Sequence, residues 1–550
     1  MEGKTAGAQQ LSAIWLRRTC IWGLFVGLTA VMTWPNVLHL ASHSVEHQDI
    51  FFNLWRLRWV HHALLTSPAD LFNGNQFYPE RGVLAYSDAM LVESLIAFPL
   101  LSLLPPMLVH NLLLLGAIAA SGIGMFALAR RLWGSDAGAI VAGLVFAFAP
   151  YRFSHYMHME LQWALWMPWA FWALQRTLDT GALRYGLLTG TFMLLQLTSS
   201  IYYGVFLALV IAAVGGVQII ALRRRAARPV VGLVAGALLL AAGAWAYSAP
   251  YRHASARVGL RSDEEIRKYS AVPASYLRVP ETNALYGRWR PGSTELSLYP
   301  GLVPVALALV ALTGGRPTRT TVAYAIGLAL AFDISLGPNG VIYRQLQQNV
   351  GFFKGLRAPS RASILFLMCL GALAARGCAL LLTRIPAPRR TAAAVTMAGL
   401  MVLEYWSAPL RLIWYPRKAP LYEVLAALPP GNVLELPVPR LNTLPFHDGR
   451  YLYMSTFHWK PLVNGYSGYY PESYIKRLIR LGDFPSPLAV AQMRADQVRY
   501  VVVHEDRFLD PAAGVRIIEA LVKLGANPLG RMDDGWYPAT LVDVQPLTRQ

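Results

Sequence analysis

The sequence predicts a polytopic α-helical membrane protein that carries a small α/β soluble domain at its C-terminal end. Three observations lead there. Hydrophobic residues make up 55% of the 550 residues and charged residues only 14%, about half the charged share of an ordinary soluble protein. Residues 19–45, 94–129 and 185–222 contain no Asp, Glu, Lys or Arg, and uncharged apolar stretches of that length read as membrane spans. After about residue 411 the charge density returns to ordinary levels and strand-like runs begin. The same composition excludes an ordinary cytosolic enzyme and a disordered chain. The net charge of +19 suggests nucleic acid at first sight, but a nucleic-acid binder gathers its charge on one solvated face. Here long uncharged runs interrupt it, so no nucleic-acid partner is expected.

Spans of about 20 residues fit between the charge clusters at 14–38, 107–129, 137–151, 160–175, 184–199, 201–222, 229–249, 298–314, 320–336, 362–383 and 391–410, about eleven transmembrane helices. Lys and Arg stay on the cytoplasmic side in short loops, so Lys4, Arg17 and Arg18 put the N-terminus inside. Arg130/Arg131, Arg176/Arg184, Arg223–Arg225 with Arg228, Arg316/Arg319, and Arg384 with Arg389/Arg390 mark later inside loops. The apolar stretch 89–104 sets the count. If it crossed, every later basic cluster would fall outside; if it lies along the outer interface, ending at Pro105-Pro106, all fall inside. It is therefore read as an interfacial helix, and the C-terminus is outside. The first span is expected to be uncleaved, being longer than a signal-peptide core. Cys20, Cys369 and Cys378 lie within or at spans and imply no disulfide.

This topology leaves long outer segments at 39–106, 250–297 and beyond 411, with a shorter one at 337–361. The chain is expected to divide into a transmembrane domain, 1–410, whose first outer loop carries interfacial helices, and an exterior (periplasmic) domain, 411–550. In the tail, Val433-Leu434-Glu435-Leu436 and Val498-Arg499-Tyr500-Val501-Val502-Val503 read as strands, and 514–525 as an amphipathic helix.

Candidate chemistry gathers at the outer ends of spans. The first loop opens His43-Ser44-Val45-Glu46-His47-Gln48-Asp49, where a carboxylate would meet a lipid-linked substrate or would simply solvate the start of an interfacial helix. His39, His43 and His47 recur at i, i+4 and i+8 and would share one face of a continuing helix, a spacing that suits a metal or a polar interface. Tyr151 to Glu160 repeats the chemistry with His155, His158 and Glu160, suited to a divalent metal, to an acid/base pair, or to a hydrated span end. Residues 337–361 hold Arg344, Lys354, Arg357 and Arg361 and no acid. Outer cations without compensation point to a phosphate partner or to anionic headgroups. Trp163, Trp166, Trp169 and Trp172 coat one broad side of a span, for packing or for a prenyl chain or sugar. Asp333, Arg376 and Glu404 lie within spans, where unpaired charge is costly, and they support a transporter reading. The run Tyr451 to Pro471 mixes aromatics with His, Asn and Ser, suited equally to carbohydrate and to a domain core.

This arrangement resembles the GT-C superfamily of integral membrane glycosyltransferases. The resemblance is carried by Glu46-His47-Gln48-Asp49 after the first span, the interfacial helices of that loop, and Phe77-Tyr78-Pro79 through Ser87-Asp88 with the helix ending at Pro105-Pro106. The acidic turn at Glu160 and the exterior domain complete it. More closely it is similar to the bacterial YfhO-like group of sugar transferases. The resemblance implies an inverting transfer of sugar from a polyprenyl-phosphate donor to a hydroxyl of an envelope glycan, lipid or protein, on the outer face of the bacterial cytoplasmic (inner) membrane. Asp49 would be the base, with Glu46 as its competitor and Glu160, beside His158, as a second acidic or metal-binding group. Arg357, Arg361, Lys354, Arg252 and Asp88 would serve substrate and phosphate. A divalent metal, Mg or Mn, would be held by His47, His155 and His158. The first loop offers Glu46-x-x-Asp49 in place of a DxD or Asp-Glu pair. Two other functions stand beside this one: a lipid or polysaccharide transporter or flippase, and a non-catalytic envelope glycan-binding protein.

Overall fold

The computed structural model describes residues 2–259 and 261–548. By contact the chain separates into two units, one of Met1–Leu38, Leu112–Ala246 and Leu260–Leu410, the other of His39–Asn111, Tyr247–Gly259 and Arg411–Gln550.

Helices occupy the stretches read as spans: Glu2–Met32, Pro106–Trp133, Asp136–Phe148, Trp166–Thr180, Leu183–Ser199, Ile201–Leu222, Ala227–Val258, Leu302–Thr313, Arg319–Ser335, Ser363–Thr383 and Ala387–Tyr405. Among the described residues five helical stretches are long and apolar enough to cross a membrane: Pro106–Trp133, Asp136–Ser154, Ile201–Leu222, Ala227–Arg257 and Pro359–Thr383. The chain is an integral membrane protein. Ser363–Thr383 is central, packed against Asp136–Phe148, Leu302–Thr313 and Arg319–Ser335 and buried nearly all round. Small residues permit these approaches. A Cβ on Gly377 would fall 1.7 Å from the Leu307 carbonyl oxygen. Gly186 and Gly190 meet Gly232 and Gly236, with a Cβ at Gly186 lying 2.0 Å from Gly232 O and one at Gly190 2.1 Å from Gly236 O. Each helix thus brings a small-x-x-x-small pair, which lets backbones touch where no hydrophobic effect drives helices together.

Each of the intramembrane charges has local hydrogen-bond partners, although Glu404 Oε2 is buried without one among the described residues. Asp333 accepts the backbone N–H groups of Val341 (2.7 Å), Ile342 (2.9 Å) and Tyr343 (3.1 Å). Arg376 donates to Thr321 Oγ1 and to Arg316 O (2.9 Å). Glu404 accepts from Tyr299 Oη and from Leu302 N (2.8 Å). The tryptophans pack: Trp166 stacks on Phe192 at 6.1 Å, and Trp172 meets Tyr185 edge-on at 6.1 Å.

The second unit departs from the boundary expected at 410, because the first outer loop shares a core with the tail. Two-stranded pairing of β1 (His43–Val45) with β2 (Leu412–Trp414) sets His43 opposite Trp414. Helix Gln48–Thr66 buries Phe51, Phe52, Leu54, Trp55 and Leu57 almost completely, each worth about 1.5–3 kcal/mol on leaving water. It packs against helices Leu91–Leu101 and Asp448–Ser455. Phe51 meets Tyr415 at 4.8 Å and Tyr453 at 6.3 Å; Trp59 meets Trp459 at 6.0 Å. Trp55 Nε1 donates to Asn75 Oδ1 (2.9 Å), whose amide donates to Ser455 Oγ (3.2 Å). The aromatic run after Tyr451 is therefore core, the partner of a first-loop helix that sequence reading left at the membrane interface. Helix Leu91–Leu101 is 11 residues long and carries Pro99 within it.

The rest of this unit is a four-stranded sheet in the order β3 (Asn432–Leu436), β4 (Val498–Val503), β6 (Pro538–Asp543), β5 (Asn527–Asp533), with β3 and β4 parallel and the other pairs antiparallel. Leu434, Leu436, Val501 and Val503 join Met493 and Leu521 in its core, with helix Pro511–Lys523 supplying Leu521.

Candidate active site

The residues singled out from the sequence divide between the units. In the second unit, His47 caps helix Gln48–Thr66 with extended backbone, and its Nδ1 accepts the Asp49 N–H at 3.2 Å. Asp49 occupies the first turn, where the helix N-terminus favours a negative group. Its Oδ2 lies 3.2 Å from His47 Nδ1, and its side chain is 17% exposed. Its Oδ1 accepts a hydrogen bond from Tyr466 Oη at 2.7 Å. Glu46 is 64% exposed and pairs with Arg450 at 3.1 Å. Between competitor carboxylates, then, Asp49 is the one set into structure.

The C-terminal segment closes tightly behind this helix start. A Cβ on Gly449 would lie 2.4 Å from Gln48 Oε1. Asp448, fully buried, accepts from Tyr474 Oη at 2.9 Å and from Asn464 Nδ2 at 3.4 Å, and burial pushes its carboxyl up to about 8. The expected helical face of His39, His43 and His47 does not form: the chain is in strand β1 from His43 to Val45, and the His39 and His43 rings lie 4.8 Å apart. Asp88 is buried, its carbonyl accepting from Arg56 at 2.6 Å. Arg252 is exposed and donates to Ser248 Oγ.

In the first unit, buried Arg152 pins the turn after Ser154 by donating to Leu161 O (3.0 Å) and Gln162 O (2.9 Å), while Gln162 donates to the carbonyls of Arg152 and His155 (2.8 Å each). Glu160 is buried in this turn. His155 sits with Nδ1 3.2 Å from His158 Nδ1 and Nε2 3.7 Å from Glu295 Oε2. Burial pulls the His155 imidazole down to about 3, against the opposing pull of Glu295.

Glu295 is the residue the sequence reading missed. Arg361 donates to it through Nη2 (2.6 Å to Oε1) and Nε (3.2 Å to each oxygen), and both side chains are buried. Burial alone would raise the Glu295 carboxyl; the Arg361 guanidinium outweighs it and holds the group well below the usual carboxylate range. Arg361, expected as a phosphate ligand, is therefore already committed to a carboxylate. Arg357 lies 3.8 Å from Glu265 Oε1, its guanidinium 5.2 Å from the Tyr269 ring centre, and its N–H donates to Tyr202 Oη at 2.9 Å. The acids that compensate loop 337–361 come from 250–297. Lys354 is exposed.

Among the described residues no group of three or more His, Cys, Asp or Glu is arranged to hold a metal ion. Among those residues His47, His155 and His158, the expected ligand set, form no such group, although the Nδ1 atoms of His155 and His158 lie 3.2 Å apart.

No protein-family model and no curated protein matches this sequence. Solved structures do. The structure of arabinofuranosyltransferase AftD from mycobacteria covers 96% of this chain at 14% identity with a TM-score of 0.64. A mutant form of AftD covers 96% at 15% identity and 0.61. This chain spans 39% and 41% of those two chains, about two fifths of their length. An oligosaccharyltransferase, AglB from Archaeoglobus fulgidus, in complex with an inhibitory peptide and a dolichol-phosphate, covers 88% of this chain at 12% identity with a TM-score of 0.45, over 69% of its own length. That last likeness is too distant to argue from. The likeness to AftD, at such low identity, is one of fold.

Proposed function

From the GT-C fold that this chain shares with AftD, we propose that it is a membrane glycosyltransferase moving a sugar from a polyprenyl-phosphate donor to an acceptor hydroxyl on the outer face of the cytoplasmic membrane, with all eleven apolar helices crossing, the N-terminus inside and the C-terminus outside. The observation that carries the reading is a carboxylate held at the N-terminus of the first outer helix, Asp49, in a chain whose fold matches a sugar transferase over 96% of its length. An envelope glycan, lipid or protein would supply the hydroxyl.

The chemistry follows from the groups present. Asp49 takes the proton of the acceptor hydroxyl as its oxygen attacks the anomeric carbon, and positive charge develops on the sugar as it does in glycoside hydrolysis. The leaving group is already a phosphate, so it needs charge neutralisation rather than a proton. Lys354 and Arg357 suit that role better than Arg361, whose guanidinium is occupied by Glu295. One displacement inverts the anomeric centre. Glu160, buried in its pinned turn, is the second acidic group of the proposal.

The test is Asp49→Asn in the full chain reconstituted in lipid, read as release of radiolabelled sugar from a panel of farnesyl-phosphoryl pentoses and hexoses, with water as acceptor. A general base contributes about 10²–10⁴-fold, so a loss of that size at unchanged melting temperature is expected. Full turnover by the variant would remove Asp49 from the mechanism.

A further inference from the structure

We propose that Tyr466 is the positioning residue of Asp49: the phenol carried by the C-terminal segment holds one carboxylate oxygen and aims the other, so that residues 411–550 form part of the active site itself. This rests on Asp49 being the base and goes beyond it, since it assigns a role to a residue 417 positions away in the chain.

The contact has the geometry the role requires. Tyr466 Oη donates to Asp49 Oδ1 at 2.7 Å, in the short range of a hydrogen bond to a charged acceptor. A carboxylate has two oxygens and one rotatable torsion that turns them. A donor on Oδ1 therefore fixes that torsion and with it the direction in which Oδ2 faces. His47 Nδ1, 3.2 Å from Oδ2, already receives the Asp49 N–H, so its lone pair is directed at the backbone.

Tyr466 is itself fixed from three sides. Its N–H donates to Gln76 Oε1 at 2.9 Å. Its ring meets Phe52 edge-to-face at 5.4 Å and 84°, on the same helix as Asp49. Two residues before it, Asn464 is clamped to strand β3, accepting from Glu435 N at 2.8 Å and donating to Glu435 O at 3.1 Å. Between them Gly465 lies so close to Phe77 that a Cβ would fall 2.4 Å from that ring, so the segment cannot shift without displacing the loop beneath it. A phenol locked in this way holds its partner by its own support, which is what distinguishes a positioned base from a merely solvated carboxylate.

The expected effects have a definite sign. A donor to the charged carboxylate favours that form, so removing the hydroxyl makes Asp49 take up its proton at higher pH. Tyr466→Phe keeps the ring and its packing on Phe52. The variant should lower kcat by about tenfold or more, the scale of a lost hydrogen bond to a charged group. KM for the farnesyl-phosphoryl donor should stay within about twofold, and the acid limb of the pH–rate profile should move to higher pH. A second measurement is independent of turnover. Carbodiimide reacts with protonated carboxyl groups, and mass spectrometry of the Asp49 peptide reads the labelling midpoint as pH is varied. That midpoint should move up in Tyr466→Phe and stay in place in Tyr537→Phe, a half-exposed tyrosine elsewhere in the same unit. An unmoved midpoint overturns the proposal, as does a Tyr466→Phe enzyme that loses thermal stability and activity together with an unmoved pH profile. If Asp49→Asn turns over normally while the midpoint moves, the contact is real and the reading of Asp49 as base is what fails.

Discussion

A buried carboxyl that keeps its proton to about pH 8 makes Asp448 a stability switch in one direction only. Unfolded, it ionises near 3.8. Between the two values the folded state holds a proton that the unfolded state has released, so the contribution is full below about 4 and is lost as pH rises toward about 8. Asp448→Asn removes the titration, and the fall in thermal stability between pH 4.5 and 8.5 should flatten by roughly a few kcal/mol. Melting curves across that range check it, and an unchanged slope would mean that the group ionises freely. Single residues were also where the sequence was least legible. Asp49 stood out because it follows the first span, but its partner lies in an aromatic run that suited sugar and core alike. Arg361 looked uncompensated because its acid lies 66 positions earlier, in a loop where Glu295 has no distinguishing neighbour. Distance along the chain, rather than weak chemistry, concealed both contacts.

At the scale of elements the reading was strong wherever hydropathy carried it. Runs such as 201–222 have a single way to bury their apolar surface while keeping every backbone group bonded, and the helices lie where the runs lie. It failed where two periodicities fitted one segment: three histidines at helical spacing sit on a chain that enters strand β1, because the edge of Leu412–Trp414 is there to pair with. Helix contacts were legible only in part. The glycine pairs 186/190 and 232/236 are visible in sequence, while their mutual approach is not. Gly190→Leu should cost about 1–3 kcal/mol by overpacking, since even a Cβ at that site would sit 2.1 Å from Gly236 O. Thermal melting of the reconstituted protein measures this, with Gly216→Leu, which has open space around it, as the neutral comparison.

For the whole molecule, composition announced a membrane protein, but the division of the chain was hidden. Segments 39–111, 247–259 and 411–550 form one unit because Phe51, Phe52 and Trp55 bury themselves on residues of the tail and of the loop at 75. A chain ending at 410 should therefore lose protection of its first outer segment: limited proteolysis should cut within 72–90 in the shortened chain and leave it intact in the full one. Equal resistance in both would show that 39–111 folds alone. The shared core also dictates an order of events during synthesis. The aromatic helix leaves the ribosome hundreds of residues before the strand and the tyrosine that cover it, and contacts so far apart form late. Throughout that interval Phe51 and Phe52 lack the tail residues that meet them in the finished protein, and the Asp49–Tyr466 contact, 417 positions apart in the chain, can form only once the tail has been made.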